Sequence, residues 1–239
     1  MKQLALDLAA PPPPTFENFV AGRNAELLGR LQALTLAGGG ERMIYVWGEA
    51  GSGRTHLLKA TVAAHRLSGA SAAYVACSPG PVIKEEFDRA DCVALDDVEL
   101  LDAPMQEAAF HLYNAVRERR GILIASGGAP PVQLALREDL VTRLGWGLVY
   151  RVMALSDAEK AQALADRAGA LGFPLPRAVG DYLLARVRRD LPSLLAMLDG
   201  LDRYSRETKR AVTVSLVREY IQAAGADSAE PLSGGVRID

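Results

Sequence analysis

The chain has 239 residues, with 27 Lys and Arg against 29 Asp and Glu for a net charge of −2, and is 49% hydrophobic. That length holds one large domain or two small ones. The near-neutral charge, without any long basic block, argues against an autonomous high-affinity DNA-binding surface. No apolar run reaches the about eighteen residues that a membrane helix needs, and the start is too short and too acidic for a secretory signal. Cys77 and Cys92 lack metal-ligand spacing, so the composition fits a reduced cytoplasm.

The first ten residues contain Gln3-Leu4-Ala5-Leu6-Asp7-Leu8 and are set apart by Pro11–Pro14, a stiff extended linker. From Thr15 the chain reads as globular. Met43–Trp47 is a short apolar run suited to a buried strand, and a helical pattern follows from Thr55 to Leu67. Further strands are predicted at Ala72–Ala76, Asp91–Leu95, Gly121–Ala125 and Leu148–Val152, with helices at Met105–Arg119 and Pro131–Leu140. Strands alternating with helices imply an α/β fold, a five-stranded parallel sheet covered on both faces. From Ser156 the pattern is helical alone. Leu183, Leu184, Val187, Leu191, Leu194, Leu195, Leu198 and Leu201 form an apolar stripe, and Asp190 with Pro192 marks the start of a helix. The expected division is a peptide at 1–10, a linker at 11–14, a nucleotide-binding domain at 15–153, an all-helical lid at 154–223 and a disordered tail at 224–239.

Between the first strand and its helix lies Gly48-Glu-Ala-Gly51-Ser52-Gly53-Arg54-Thr55, the phosphate-binding loop pattern with arginine where lysine is usual. Its glycines permit a tight turn whose amides can wrap a diphosphate at the helix N-terminus. Arg54 keeps the positive charge but is wider and planar, which suits slow turnover. The strand ending Leu95-Asp96-Asp97 has the Walker B pattern: Asp96 would hold Mg²⁺ together with Thr55, and Asp97 would orient a hydrolytic water. Ser126 ends the next strand and is either a sensor of the terminal phosphate or an ordinary turn serine.

Several segments together resemble the bacterial replication initiator DnaA, an AAA+ ATPase: Thr15-Phe16-Glu17-Asn18-Phe19, Thr55-His56-Leu57-Leu58 and Arg143-Leu144-Gly145-Trp146-Gly147-Leu148. The similarity covers roughly Thr15 to Ala223. The initiator continues into a basic DNA-reading domain that is not found here, and in this the chain resembles the Hda family of initiator homologues, which also often carries arginine in the phosphate loop. Leu155–Lys160 and Leu198–Arg203 are similar to that family's lid.

The resemblance implies that Gly48, Gly51, Ser52, Gly53, Arg54, Thr55 and His56 bind ADP or ATP with Mg²⁺, with Arg189 contacting the phosphates from the lid; Arg188 beside it competes for that role. It implies that Arg143 is an arginine finger acting in trans on initiator-bound ATP, the other reading being an arginine ion-paired within its own domain. Gln3, Leu4, Leu6 and Leu8 resemble a peptide that binds the sliding clamp, the β subunit of DNA polymerase III. The function implied is an ADP-bound negative regulator of replication initiation that reaches DNA through the clamp, has little ATPase activity of its own, and forms a homodimer or acts singly. The alternatives are an autonomous AAA+ ATPase and a module that tethers the initiator without stimulating its ATP hydrolysis. Two departures bear on assembly: Ser126-Gly127-Gly128 lacks the initiator's Asp-Arg pair, and Asp139 stands where the initiator has another interface arginine.

Overall fold

The computed structural model describes residues 12–36, 40–78, 82–187 and 190–226. They divide into two compact units, Pro13–Leu155 and the helices from Ser156 onward. In the first unit α1 (Ala25–Thr35), β1 (Met43–Trp47), α2 (Arg54–Leu67), β2 (Ala72–Ala76), β3 (Cys92–Asp96), α3 (Ala103–Glu118), β4 (Ile122–Gly127), α4 (Glu138–Trp146) and β5 (Leu148–Arg151) follow in order. The strands form one parallel sheet, β2-β3-β4-β1-β5.

The three central strands are continuous apolar runs because both their faces are covered. Successive side chains alternate between the faces. Met43, Tyr45, Val93, Leu95 and Leu123 join Leu112, Val116, Leu140 and Leu144 of α3 and α4. Ile44, Val46, Ala94, Ile122 and Ile124 join Leu31 of α1 and Leu57 and Leu58 of α2 on the other side. The two free cysteines are fully buried, Cys77 in the first of these cores and Cys92 in the second. Burial pushes both thiols up to about 12.

Strands β1 and β2 have the expected bounds, whereas β3 ends one residue later, at Asp96, and β4 runs on to Gly127. Asp96 and Ser126 therefore belong to the ladder itself. The helix expected at Pro131–Leu140 is absent: Pro131–Gln133 forms a single 3₁₀ turn, Leu134 is extended (φ −81°, ψ 137°), and α4 begins at Glu138. Leu134 and Leu136 are anchored in the core under α3, the Arg137 amide donates to Gln106 Oε1 (2.9 Å), and the Arg137 guanidinium reaches Glu107 (3.3 Å). A strap tied to α3 has replaced two turns of helix.

The second unit is all helical: α5 (Asp157–Leu171), α6 (Arg177–Arg186), α7 (Leu191–Thr208) and α8 (Val214–Ala226). Ser156 opens it with a capping box, accepting from the Glu159 amide (3.2 Å) while Glu159 accepts from the Ser156 amide (2.7 Å). Asp190 caps α7 by accepting from the Ser193 amide (2.9 Å), with Pro192 in the first turn as expected. Leu183, Leu194, Leu198 and Leu201 of the apolar stripe are fully buried with Leu164 and Val217. Helix α8 continues to Ala226, so residues 224–226 of the expected tail are helical, and the rest of that tail lies outside the described residues.

Candidate nucleotide site

The strand register brings the phosphate loop and the acidic strand ends together. Val46 is level with Ser126, and Gly48, just past β1, donates to the Gly127 carbonyl (3.3 Å). Gly51 (φ 78°) and Gly53 (φ 105°) hold the positive φ that side chains resist, and a Cβ on Gly53 would lie 2.8 Å from Phe19. Helix α2 starts directly after Gly53 with no side-chain cap, leaving its first amides and the positive end of its dipole available to an anion. Inside the loop Ser52 is 6% exposed and its Oγ has no hydrogen-bond partner. Thr55 is exposed on the first turn. His56 turns toward the preceding segment: its Nε2 bonds the Thr15 carbonyl (2.8 Å) and its ring lies 5.3 Å from that of Phe19. Burial lowers the His56 pKa below 6.5, against the opposing pull of the Thr15 carbonyl.

Asp96 is 4% exposed and both its oxygens are engaged: Oδ2 accepts from the Tyr74 hydroxyl (2.7 Å) and Oδ1 from the Ser126 hydroxyl (2.5 Å). Ser126 Oγ in turn accepts from the Asp97 amide (2.9 Å). Burial, and then the bond to Asp96, raises the Tyr74 phenol above its usual range. Asp97 leaves the strand in a left-handed conformation (φ 60°) and meets Arg54, Oδ1 to Nη2, at 3.0 Å. Arg54 Nη1 lies 3.9 Å from Glu99 Oε1, which accepts from the Gly128 amide at 2.8 Å. Burial and the neighbouring Asp96 raise the Asp97 carboxyl despite Arg54. Arg54 Nη1, Ser52 Oγ, Asp97 Oδ1 and Glu99 Oε2 are all buried without a hydrogen-bond partner, so the site holds unused donors and unused acceptors side by side.

Asp96 does not offer the expected Mg²⁺ an open oxygen. A hard octahedral cation needs open carboxylate oxygen and room for its waters. Both Asp96 oxygens serve hydroxyls, whereas Asp97 Oδ1, 3.0 Å from the Arg54 guanidinium, and Glu99 Oε2 are buried without a hydrogen-bond partner. Among the described residues no group of three or more His, Cys, Asp or Glu is placed to hold a metal ion. Tyr74 and Glu99 were missed in the sequence. An aromatic hydroxyl on an otherwise small, apolar edge strand, and an acid two residues past Asp97, are the signals that mark them.

Arg143 is placed elsewhere in the first unit, in the last turn of α4. Its guanidinium lies 3.8 Å from the Trp146 ring centroid and 5.4 Å from that of Phe110, and Arg117 also approaches Trp146, at 4.6 Å. Among the described residues no ion pair engages Arg143, and its Nε has no hydrogen-bond partner. With Phe110, Arg137, Glu138, Asp139 and Thr142 it lines a surface cleft of about 660 Å³. Asp139 is held by Arg137 (2.9 Å), whose guanidinium lowers the carboxyl pKa. Gln3, Leu4, Leu6, Leu8, Arg188 and Arg189 lie outside the described residues.

The family model of the Hda lid domain matches residues 157–221, the second unit almost end to end. Among solved structures, domain III of DnaA from Thermotoga maritima aligns with 90% of this chain and 98% of its own, at 19% identity and a TM-score of 0.69. AMPPCP-bound DnaA from Aquifex aeolicus aligns with 83% of this chain and 70% of its own, at 22% identity and a TM-score of 0.67. A RuvB variant from Thermotoga maritima aligns with 88% and 72%, at 14% identity and 0.63. The fold is that of an AAA+ phosphate-loop domain with a helical lid. The first unit thus has a DnaA-like AAA+ fold, and the helical unit that follows it is similar to the Hda lid domain.

Proposed function

We propose that the chain is a DnaA-related replication regulator that holds ADP in the Gly48–Thr55 loop and uses Arg143 to promote hydrolysis of ATP bound to DnaA. The observation that carries this reading is the Hda lid domain at 157–221 joined to a DnaA-like AAA+ fold. Two features of the site support it. Asp97, the residue suited to orienting a hydrolytic water, is engaged by Arg54 at 3.0 Å, which disfavours turnover of the chain's own nucleotide. Arg143 is supported by aromatic rings beside an open cleft and has no described ion-pair partner at home, so its charge is available to a neighbour. A guanidinium brought to the transferring γ-phosphoryl stabilises the charge that develops there.

Docking is assigned to Gln3, Leu4, Leu6 and Leu8, which would occupy the groove of the sliding clamp and so bring the chain to DNA indirectly. Hydrolysis of initiator-bound ATP is to be followed with and without this chain and with and without DNA-loaded clamp. Acceleration that requires both supports the reading. ATP turnover by this chain alone, at a comparable rate, would identify an autonomous ATPase instead, and binding of the initiator without acceleration would identify a tether.

A further inference from the structure

We propose that Arg54 takes the role of the divalent cation in this site, so that the ligand is a metal-free nucleoside diphosphate. The inference rests on the nucleotide-binding reading above and adds to it the ionic form of the ligand. In phosphate-loop sites a metal ion usually bridges the acidic strand end and the phosphate oxygens, while a lysine adds a separate point charge. Here one planar side chain can make that bridge. Arg54 places Nη2 at ion-pair distance from Asp97 Oδ1, 3.0 Å, with Oδ1 and Nη1 both free of hydrogen bonds, in a side chain that is 11% exposed.

The acidic end of the bridge is fixed from three sides. The Gly128 amide holds Glu99 Oε1 at 2.8 Å, the Ser126 hydroxyl fixes the Asp97 amide at 2.9 Å, and Arg54 Nη1 lies 3.9 Å from Glu99. The carboxylate best placed to draw a metal, Asp96, already accepts from Tyr74 and Ser126 through its two oxygens. On the phosphate side stand the buried Ser52 Oγ and the uncapped first amides of α2. A guanidinium has five donors in a rigid fork and can serve carboxylate and phosphate at once; an ammonium cannot span them in the same way.

The test is ADP affinity of the full chain by calorimetry in Mg²⁺ and in EDTA, for the native protein and for Arg54→Lys. The native affinity is expected to be the same in both buffers to within about threefold, and Arg54→Lys to lose about tenfold or more in EDTA and recover it in Mg²⁺. Native binding that weakens about tenfold or more in EDTA overturns the inference while the nucleotide-binding reading stands. Absence of ADP binding in both buffers overturns both. If Arg54→Lys remains indifferent to Mg²⁺, the bridging role assigned to Arg54 is wrong.

Discussion

Arg143→Ala separates what this residue does for its own fold from what it does for a partner. At home it makes two aromatic contacts, at 3.8 Å to Trp146 and 5.4 Å to Phe110, and no described ion pair is lost with it. Contacts of this kind at partly exposed sites contribute about 0.5–1 kcal/mol each, so the substitution costs about 1–2 kcal/mol. For a domain of this size that is a fall in Tm of about 2–8 °C, well short of unfolding. A finger, by contrast, is worth roughly 10³–10⁵ in rate, or about 4–7 kcal/mol of barrier. The assay is hydrolysis of initiator-bound ATP on clamp-loaded DNA, with each variant saturated in ADP and its Tm measured alongside. Arg143→Ala should bind ADP and clamp normally and lose nearly all stimulation. Arg143→Lys should recover little, because it lacks the planar fork. Trp146→Leu keeps the charge but removes the ring that orients it, and should fall between. Full stimulation by folded Arg143→Ala would refute the finger and leave Arg143 as a surface cation resting on a tryptophan.

Deletion of residues 1–10, or Gln3→Ala with Leu4→Ala, should abolish clamp binding in a pull-down with loaded clamp while ADP affinity is unchanged; normal capture of the truncated chain would show that the peptide is not the anchor. Purified protein should turn ATP over well below the roughly 1–10 s⁻¹ common among enzymes, and Arg54→Lys, by releasing Asp97, should raise that rate severalfold in a phosphate-release assay. His56 should add a pH dependence to stability. Its folded pKa lies below 6.5, so as the pH drops the unfolded chain takes up the proton first. The stability due to neutral His56 is complete above about 6.5 and is lost as the pH falls through the folded value. Thermal midpoints measured from neutral to mildly acid pH should decline more steeply for the native protein than for His56→Gln, which can still donate to Thr15; parallel curves would remove His56 as the cause.

Much of the fold could be read because its signals are local. The runs Met43–Trp47 and Ala72–Ala76 are bounded by glycine, serine and charge, and each became a strand with those bounds. Asp190 and Pro192 announce the start of α7 through a hydrogen bond only three residues long. The strap at 134–137 departs from the expected helix because Leu134 and Leu136 have a spacing that suits an extended chain as well as a helix, and distant partners, Gln106 and Glu107 on α3, decide between the two. The phosphate loop and Asp96 were evident from their order along the chain. What could not be read was how the site spends its hydrogen bonds. Tyr74 reaches Asp96 from an adjacent strand and Glu99 reaches Arg54 across the loop, pairings that depend on register and side-chain direction.

The two buried cysteines make the sheet self-reporting. Cys77 belongs to one face and Cys92 to the other, both are fully buried, and each thiol is pushed up to about 12. At neutral pH only roughly one thiol in 10⁵ is then the reactive thiolate, so alkylation must wait for the covering layer to open. Mass-resolved labelling can therefore time the opening of each face separately, without introducing a cysteine. Cys77 bonds through its amide to the Asp96 carbonyl at 2.8 Å, so its protection should rise when ligand steadies that strand end, whereas Cys92, at the start of the same strand, should respond less.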